Sequence, residues 1–359
     1  MEKKTDVLVL FGGVSSEHDI SCISAASVID NINKDKYNVH TVGITADGKW
    51  LLTDAESDVI RSGKWEDHPG NRAAVVSPDR STHGLIVRED DGTVSEQHID
   101  AVFPVLHGKN GEDGTMQGLL EIAGLPYVGP GTCASACAMD KSVTKLIVNT
   151  TDVEQADYYL TDRYTFSEDP IGETERAEKK FGGVYPLFVK PSSAGSSVGV
   201  SKAYDKEQLF EAIKIALEED HKVLIENTIV GREIEVAVLG NRNVRTSVIG
   251  EIVPADDFYS FEAKYENAAS ETRILEDVPE EKKEEIRQAA AKVYKAIGCK
   301  GMSRADFFLE ESGRVVFNEI NTIPGFTAIS MYPKLWGECG VSYSELIDQL
   351  IMLALDEIE

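Results

Sequence analysis

The sequence predicts an α/β protein of two or three domains, beginning with an open α/β domain. Its 359 residues exceed what one compact core holds. In the first third, apolar strand-like runs alternate with helix-like runs. Glycine clusters fall where a predicted strand gives way to a helix, at Gly12-Gly13 and within 107–114. Such junctions let a chain turn tightly or a ligand approach a helix start.

Asp6 to Phe11 (DVLVLF) reads as a buried strand, Gly12-Gly13 as a turn, and Ser16-x-x-Asp19 as a capping box for the next helix. Val39 to Ile44 is a second strand. Asp100 to Leu106 is a third, with Pro104 setting its end near an edge or bend. A helix over Thr115 to Ala123 closes at Gly124. After Gly129-Pro130-Gly131 a helix runs from about Cys133 to Val148, followed by a polar stretch near Asp162 to Thr174. Strands Leu187 to Lys190 and Gly199 to Lys202 flank a Ser/Gly loop. The helix Lys206 to Glu218 and the strands Val223 to Glu226 and Glu233 to Leu239 complete a second unit. The last third holds an irregular segment, Pro254 to Leu275. A helix from Glu280 to Ile297, strands Arg304 to Leu309 and Arg314 to Glu319, and a terminal helix from Tyr343 to Asp356 follow. The irregular segment is longer than ordinary connections and carries Phe258, Tyr259, Phe261 and Tyr265, a composition that favours a functional loop over a disordered one.

Lys and Arg number 36 against 62 Asp and Glu, a net charge of −26. Such a surface repels nucleic acid and anionic membranes. It also repels phosphates, so a nucleotide site must gather its own basic residues. No run approaches the length of a bilayer span. The charged start leads straight into an apolar strand, which is not the pattern of a signal peptide, and a cytoplasmic protein is expected. The five cysteines form no C-x-x-C pair and read as reduced thiols. Cys133 and Cys137 stand four apart on a predicted helix, without a nearby histidine to complete a zinc set.

Four constellations carry chemistry. The first is a hairpin turning at Glu310-Glu311-Ser312-Gly313. A two-residue loop sets Glu310 opposite Gly313, so Arg304 faces Glu319 and Asp306 faces Phe317. Asp306, Glu319 and Asn321 then converge at one sheet end beside one guanidinium, as Mg²⁺ ions bridged by phosphate require. A bulge would shift this register by one, and a solvated face with a surface salt bridge is the bland alternative. The second is Lys190-Pro-Ser-Ser-Ala-Gly-Ser196-Ser197-Val-Gly199, whose small residues let backbone N–H groups approach phosphate oxygens. It is not a Walker A loop, and on this loop alone a plain hairpin explains it equally well. The third is His107-Gly-Lys-Asn-Gly-Glu-Asp-Gly114, which by itself is better explained as a glycine-rich turn. The fourth is Gly12-Gly13-Val-Ser-Ser-Glu17-His18. It lacks G-x-G-x-x-G, which excludes a nicotinamide reading. Glu17 suits an ammonium group or, more plainly, the dipole at a helix start.

Eight segments in order, from residue 11 to 333, resemble the D-alanine–D-alanine ligase family. They are FGGVSSEHDIS, HGKNGEDGTMQG, MDK at 139–141, VKPSSAGSSVGV, LIEN at 224–227, FEAKY at 261–265, SRADFF at 303–308 and NEINTIPGFTAISMYP at 318–333. The resemblance implies a three-domain ATP-grasp architecture: an N-terminal open α/β (Rossmann-like) domain over 1–131, a central domain over 132–240 and a C-terminal domain over 241–359 with a mobile loop at 254–275. It also implies ATP-dependent joining of two D-alanines through an acyl phosphate, for peptidoglycan precursors.

By motif, the resemblance implies that Lys141, Lys190, Ser196 and Ser197 contact ATP phosphates, with Lys264 reaching the transferred group. Glu226, Asn227 and Ile229 line the adenine pocket and Glu233 binds ribose. Asp306, Glu319 and Asn321 hold two Mg²⁺, which Mn²⁺ can replace, and K⁺ is a further candidate activator. Glu17 holds the ammonium of the first D-alanine, supported by Ser196 and Tyr265, with His107 nearby. Arg304 and the Gly325 N–H face the oxyanion, and Ser330 and Met331 receive the second carboxylate. Relatives that make a D-lactate ester tend to lack the tyrosine found at 265, which favours the dipeptide. A homodimer is implied, with no nucleic-acid or membrane partner. D-lactate or D-serine as second substrate is the sibling reading. A regulatory module without catalysis would have lost metal ligands or phosphate lysines that this chain keeps.

Overall fold

A computed structural model describes residues 3–195, 198–253 and 271–356. The first apolar run forms β1 (Thr5–Gly12), followed by α1 (His18–Asn31) and β2 (Tyr37–Ile44). The chain then runs through β3 (Trp50–Thr53), α2 (Ser57–Arg61), β4 (Arg72–Val76), β5 (Gly84–Arg88), β6 (Val94–His98) and β7 (Ala101–Pro104). These strands make one seven-stranded sheet in the order β6-β5-β4-β3-β2-β1-β7. β1 is parallel to both β2 and β7. The remaining strands extend the sheet antiparallel beyond β2. Pro104 ends the edge strand β7, where its missing N–H costs no ladder bond. Strand order reverses at β1, and in open α/β sheets a ligand crevice opens beyond the carboxyl ends of strands at such a reversal. The loops there are 13–17 and 105–112.

The expected Ser16/Asp19 capping box is absent. The N-cap of α1 is Glu17 with no side-chain cap bond, and Ser15 Oγ instead accepts the Glu17 N–H at 3.1 Å. The turn after Gly13 therefore runs one residue further before the helix begins. The helix expected over 133–148 is two, α4 (Thr132–Met139) and α5 (Lys141–Val148), after α3 (Thr115–Ala123). Asp140 breaks it by turning its carboxylate onto the N–H groups of Ser142 and Val143, at 3.0 and 3.3 Å.

The second sheet, in the order β10-β9-β11-β8, contains β8 (Tyr158–Asp162), β9 (Leu187–Pro191), β10 (Ser201–Ala203) and β11 (Lys222–Asn227). It is covered by α6 (Arg163–Glu168), α7 (Pro170–Lys180) and α8 (Lys206–Glu219), with an interior of its own. The polar stretch near 162–174 is thus helical, with Asp162 and Asp169 as capping acceptors and Pro170 in the first turn of α7.

The third sheet, in the order β14-β13-β12-β15-β16, contains β12 (Arg232–Leu239), β13 (Arg245–Val253), β14 (Glu271–Ile274), β15 (Met302–Leu309) and β16 (Val315–Asn321). α9 (Glu280–Ile297), α10 (Met331–Glu338) and α11 (Tyr343–Ala354) complete the chain. The division expected after residue 240 runs between β12 and β13, which are paired. Residues 271–274 of the expected irregular segment are strand, paired with β13, and residues 254–270 lie outside the described residues. One apolar interior joins Val7, Val9 and Phe103 of the first sheet to Phe326, Tyr332 and Leu350 near the C-terminus. The crevice beyond β1 is thereby fixed against the third sheet. No helix among the described residues is long and apolar enough to cross a membrane.

Asp140 ties three of these pieces together. Besides capping α5, it accepts the Ser192 hydroxyl at 2.6 Å and pairs with Lys222, and Lys141 N–H bonds Ser192 O at 2.8 Å. Burial alone would raise the Asp140 carboxyl, but Lys222, Ser142 and Ser192 hold it down at about 2, below its ordinary 3.8. Its contribution to stability is therefore present above the ordinary value and is lost as pH falls from there toward 2. Asp140→Ala is expected to lower stability by about 1–2 kcal/mol at neutral pH. Urea midpoints should show that loss at pH 7 and a smaller gap between variant and parent near pH 3.

Candidate active site

The hairpin β15–β16 sets the centre of the site, in a register the sequence did not indicate. Its loop has three residues, Glu311-Ser312-Gly313. Glu310 N–H bonds Arg314 O, and Gly313 takes a positive φ of 82°. That moves pairing by one residue. A bulge between Asp306 and Phe307 moves it by one more. Arg304 therefore faces Asn321 and Asp306 faces Glu319, not Glu319 and Phe317 as expected. Because side chains alternate with period two, two single shifts restore the original face. Arg304, Asp306, Glu319 and Asn321 still share it. The bulge leaves Asn318 as the extra residue and turns it toward the cleft.

On the other flank of β15, Glu235 of β12 is level with Asp306. Glu235, Asp306 and Glu319 thus form a row of three carboxylates across three strands. Arg304 lies over this row. Its Nε and Nη2 donate to the two Asp306 oxygens at 2.8 and 2.7 Å, and its Nε is 3.2 Å from Glu235 Oε1. Burial alone would lower the guanidinium pKa, yet Asp306 and Glu235 hold it far above its ordinary value. Asn321 donates to Asp306 Oδ2 at 2.9 Å. Glu233, two residues before Glu235 and on the same face, also lines the cleft.

The donors Asp306, Glu319 and Asn321 fit Mg²⁺, a hard cation held by one or two carboxylates while phosphate and water complete its shell. Among the described residues no group of three His, Cys, Asp or Glu side chains is placed to hold a metal ion by itself. The set suits a cation that arrives with a phosphate.

Helix α5 and the second sheet supply the cations that the acidic composition demands. Lys141, the first residue of α5, places its ammonium 3.4 Å from Glu319 Oε2 and donates to Ala194 O at 3.0 Å. Lys190 of β9 is 2.5 Å from Glu226 Oε2 and 3.4 Å from Asn318 Oδ1. The first sheet supplies the opposite wall. Glu17 is buried at the N-cap of α1. Gly108 has a φ of 70°, and a Cβ there would lie 2.5 Å from Glu17 Oε2, so the glycine loop closes directly on that carboxylate. His107 is buried. Its Nε2 is 3.0 Å from Ser24 Oγ, and its Nδ1 is 3.2 Å from Ile323 O and 3.8 Å from Glu112 Oε1. Burial would pull the imidazole down, but Glu112 and then Glu17 hold it above its ordinary value. Ser330 is the N-cap of α10, and its Oγ accepts the Thr327 N–H at 3.0 Å. Gly325 lies against Ser330, and Met331 begins the helix.

These walls enclose one cleft of about 1090 Å³. Glu17, His107, Lys141, Lys190, Glu233, Arg304, Asp306, Glu319, Asn321, Gly325, Ser330 and Met331 all line it. Glu226, Asn227 and Ile229 do not. The Glu226 carboxylate is turned onto Lys145 and Lys190. Ser196, Ser197, Lys264 and Tyr265 lie outside the described residues. Glu112, Glu235 and Asn318 also line the cleft and were not foreseen. The signal for Glu235 was present: Glu233 and Glu235 are two apart in a strand that is apolar from Val236 on, which puts both carboxylates on one face.

The family model described as D-ala D-ala ligase N-terminus matches residues 6–130, and that described as D-ala D-ala ligase C-terminus matches residues 147–352. A D-alanine–D-alanine ligase of Acetivibrio thermocellus is 50% identical over 99% of this chain and 97% of its own length. One of Ruminiclostridium cellulolyticum is 46% identical over 100% and 97%. Among solved structures, the VanG D-Ala:D-Ser ligase from Enterococcus faecalis superposes with a TM-score of 0.87 at 38% identity, over 98% of this chain and 100% of that one. The D-alanine-D-alanine ligase from Coxiella burnetii also gives 0.87, at 34% identity, over 99% and 94%. The three sheets are those of the ATP-grasp architecture. With both halves of the chain matched by one family's models and relatives aligned end to end, the chain belongs to the D-alanine–D-alanine ligase family.

Proposed function

We propose that this chain is an ATP-dependent ligase joining two D-alanines into D-alanyl-D-alanine for peptidoglycan precursors, in the cytoplasm where ATP is made. The observation that carries this reading is the single face bearing Arg304, Asp306, Glu319 and Asn321, set in one cleft with Lys141, Lys190 and Glu17.

ATP lies with its phosphates against Lys141 and Lys190. Asp306, Glu319 and Asn321 would hold two Mg²⁺ ions, which neutralise charge on the transferred phosphoryl group. Glu17 accepts the ammonium of the first D-alanine, so that its carboxylate points to the γ-phosphate. An oxygen of that carboxylate bonds to phosphorus, the bond to the ADP oxygen breaks, and an acyl phosphate results. The amine of the second D-alanine, oriented by Ser330 and the start of α10, attacks the acyl carbon. Negative charge develops on the carbonyl oxygen, where Arg304 and the Gly325 N–H stabilise it; the bond from the acyl carbon to the phosphate oxygen then breaks, and the departing phosphate carries off the proton that the amine gives up.

The second substrate is the finer question, because the fold superposes equally well on a D-Ala:D-Ser ligase. The relatives from Acetivibrio thermocellus and Ruminiclostridium cellulolyticum carry the D-alanine–D-alanine name, and this favours D-alanine. Phosphate release, coupled to product identification, is expected to run fastest with D-alanine alone. Faster mixed product with D-serine or D-lactate overturns the dipeptide reading.

A further inference from the structure

We propose that Lys145, which never reaches the cleft, is a positioning residue for the nucleotide phosphates: it occupies one oxygen of Glu226 and so leaves Lys190, on the other oxygen, with net positive charge for an anion. The proposal rests on the reading that Lys190 faces ATP phosphates.

Lys141 and Lys145 are four apart on α5, so they share one helix face a turn apart. Lys141 lines the cleft. Lys145 lies deeper, 1% exposed, and a lysine so buried persists only when paired. Its ammonium meets Glu226 Oε1, donates to Ala156 O at 3.2 Å and lies 5.3 Å from the centre of the Tyr158 ring. Glu226 Oε2 holds Lys190 at 2.5 Å. Two ammoniums thus share one carboxylate, and the trio carries net charge +1. Lys190 and Glu226 alone would be neutral, and an incoming phosphate would have to compete with a full counter-charge. Burial alone would raise the Glu226 carboxyl, yet Lys190 and Lys145 hold it below its ordinary value, so the carboxylate stays charged and continues to bridge them. In a chain of net charge −26, one cation behind the phosphate wall is a sizeable share of the local attraction.

The test is binding of ADP with Mg²⁺, and of adenosine, to the full-length parent, Lys145→Met, Lys190→Met and the double variant, by calorimetry. Lys145→Met is expected to raise the ADP Kd about tenfold, the scale of one charge-assisted hydrogen bond, because Glu226 then has Lys190 as its only ammonium and an incoming phosphate must compete with the whole carboxylate. Adenosine affinity should stay within about twofold, and in the Lys190→Met background the further change in ADP Kd should also stay within about twofold. Equal losses for ADP and adenosine, or an undiminished effect without Lys190, overturn the proposal. Lys145→Gln, which keeps a donor for Glu226 and Ala156, covers the case in which the methionine variant does not fold. If neither folds, the lysine is structural and the proposal fails. If Lys190→Met leaves ADP binding unchanged, the reading of Lys190 itself fails; if Lys190→Met weakens ADP and Lys145→Met does not, only the inference about Lys145 fails.

Discussion

Glu319→Gln is expected to reduce phosphate release by roughly 10³-fold, the scale of several kcal/mol of lost charge stabilisation at a metal-assisted transfer, while the fold survives. Glutamine matches glutamate in shape, and Glu319 lies at the cleft end of β16 with its side chain 24% exposed, so the hairpin has no reason to open. What changes is charge. Glu319 stands level with Asp306, and the pair supplies both carboxylates of the proposed metal set. A neutral amide binds Mg²⁺ more weakly. Glu319 is also 3.4 Å from the Lys141 ammonium, so its loss frees a cation toward phosphate. ADP binding without Mg²⁺ should therefore be kept or strengthened, while the gain that Mg²⁺ confers on the parent should vanish. Near-normal phosphate release with an unchanged Mg²⁺ requirement would sink the two-metal assignment.

Elements with a signal at both ends were legible in the sequence. The helix Thr115–Ala123 stops at Gly124, and Glu280–Ile297 stops at Gly298, both glycines left-handed. Breaks whose cause is a side chain's choice of partner were not. Asp140 looks like an ordinary polar position in a helical run until Ser142, Ser192 and Lys222 are seen around it. α7 was missed because PIGETERAEKK buries only Glu173, Thr174 and Ala177, which leaves no apolar stripe to find. The same limit hid Lys145, on which the sequence gives no signal and which is among the largest fully buried side chains. That Arg304, Asp306, Glu319 and Asn321 share one face was legible, and the register of their strands was not. Loop length and the bulge at Asn318 leave no mark on residue type, and the face survived because the two errors were of one residue each.

Arg304→Lys separates charge from shape at the second chemical step. Asp306 and Glu235 hold the Arg304 pKa far above its ordinary value, so the guanidinium stays charged wherever the protein is folded, and pH cannot test its role. Lysine keeps the charge and removes the planar fork. Arginine spans both Asp306 oxygens, at 2.8 and 2.7 Å, while its Nε also lies 3.2 Å from Glu235. A single ammonium on a flexible stem cannot hold that geometry and face a developing oxyanion as well. The expected result is a fall in dipeptide kcat of about 10²–10³-fold, as for loss of one preorganised oxyanion donor, with the KM for ATP little changed because the net charge of the cleft is the same. The acyl phosphate should still form, since its formation depends on the lysines and the carboxylates. It should then wait longer for the amine, and water should intercept more of it. The parent releases one phosphate per dipeptide. The variant should release more, and the excess should fall as D-alanine is raised. Unchanged dipeptide kcat, or a loss confined to the KM for ATP with one phosphate per dipeptide retained, would remove Arg304 from the second step and leave it as the residue that orients Asp306.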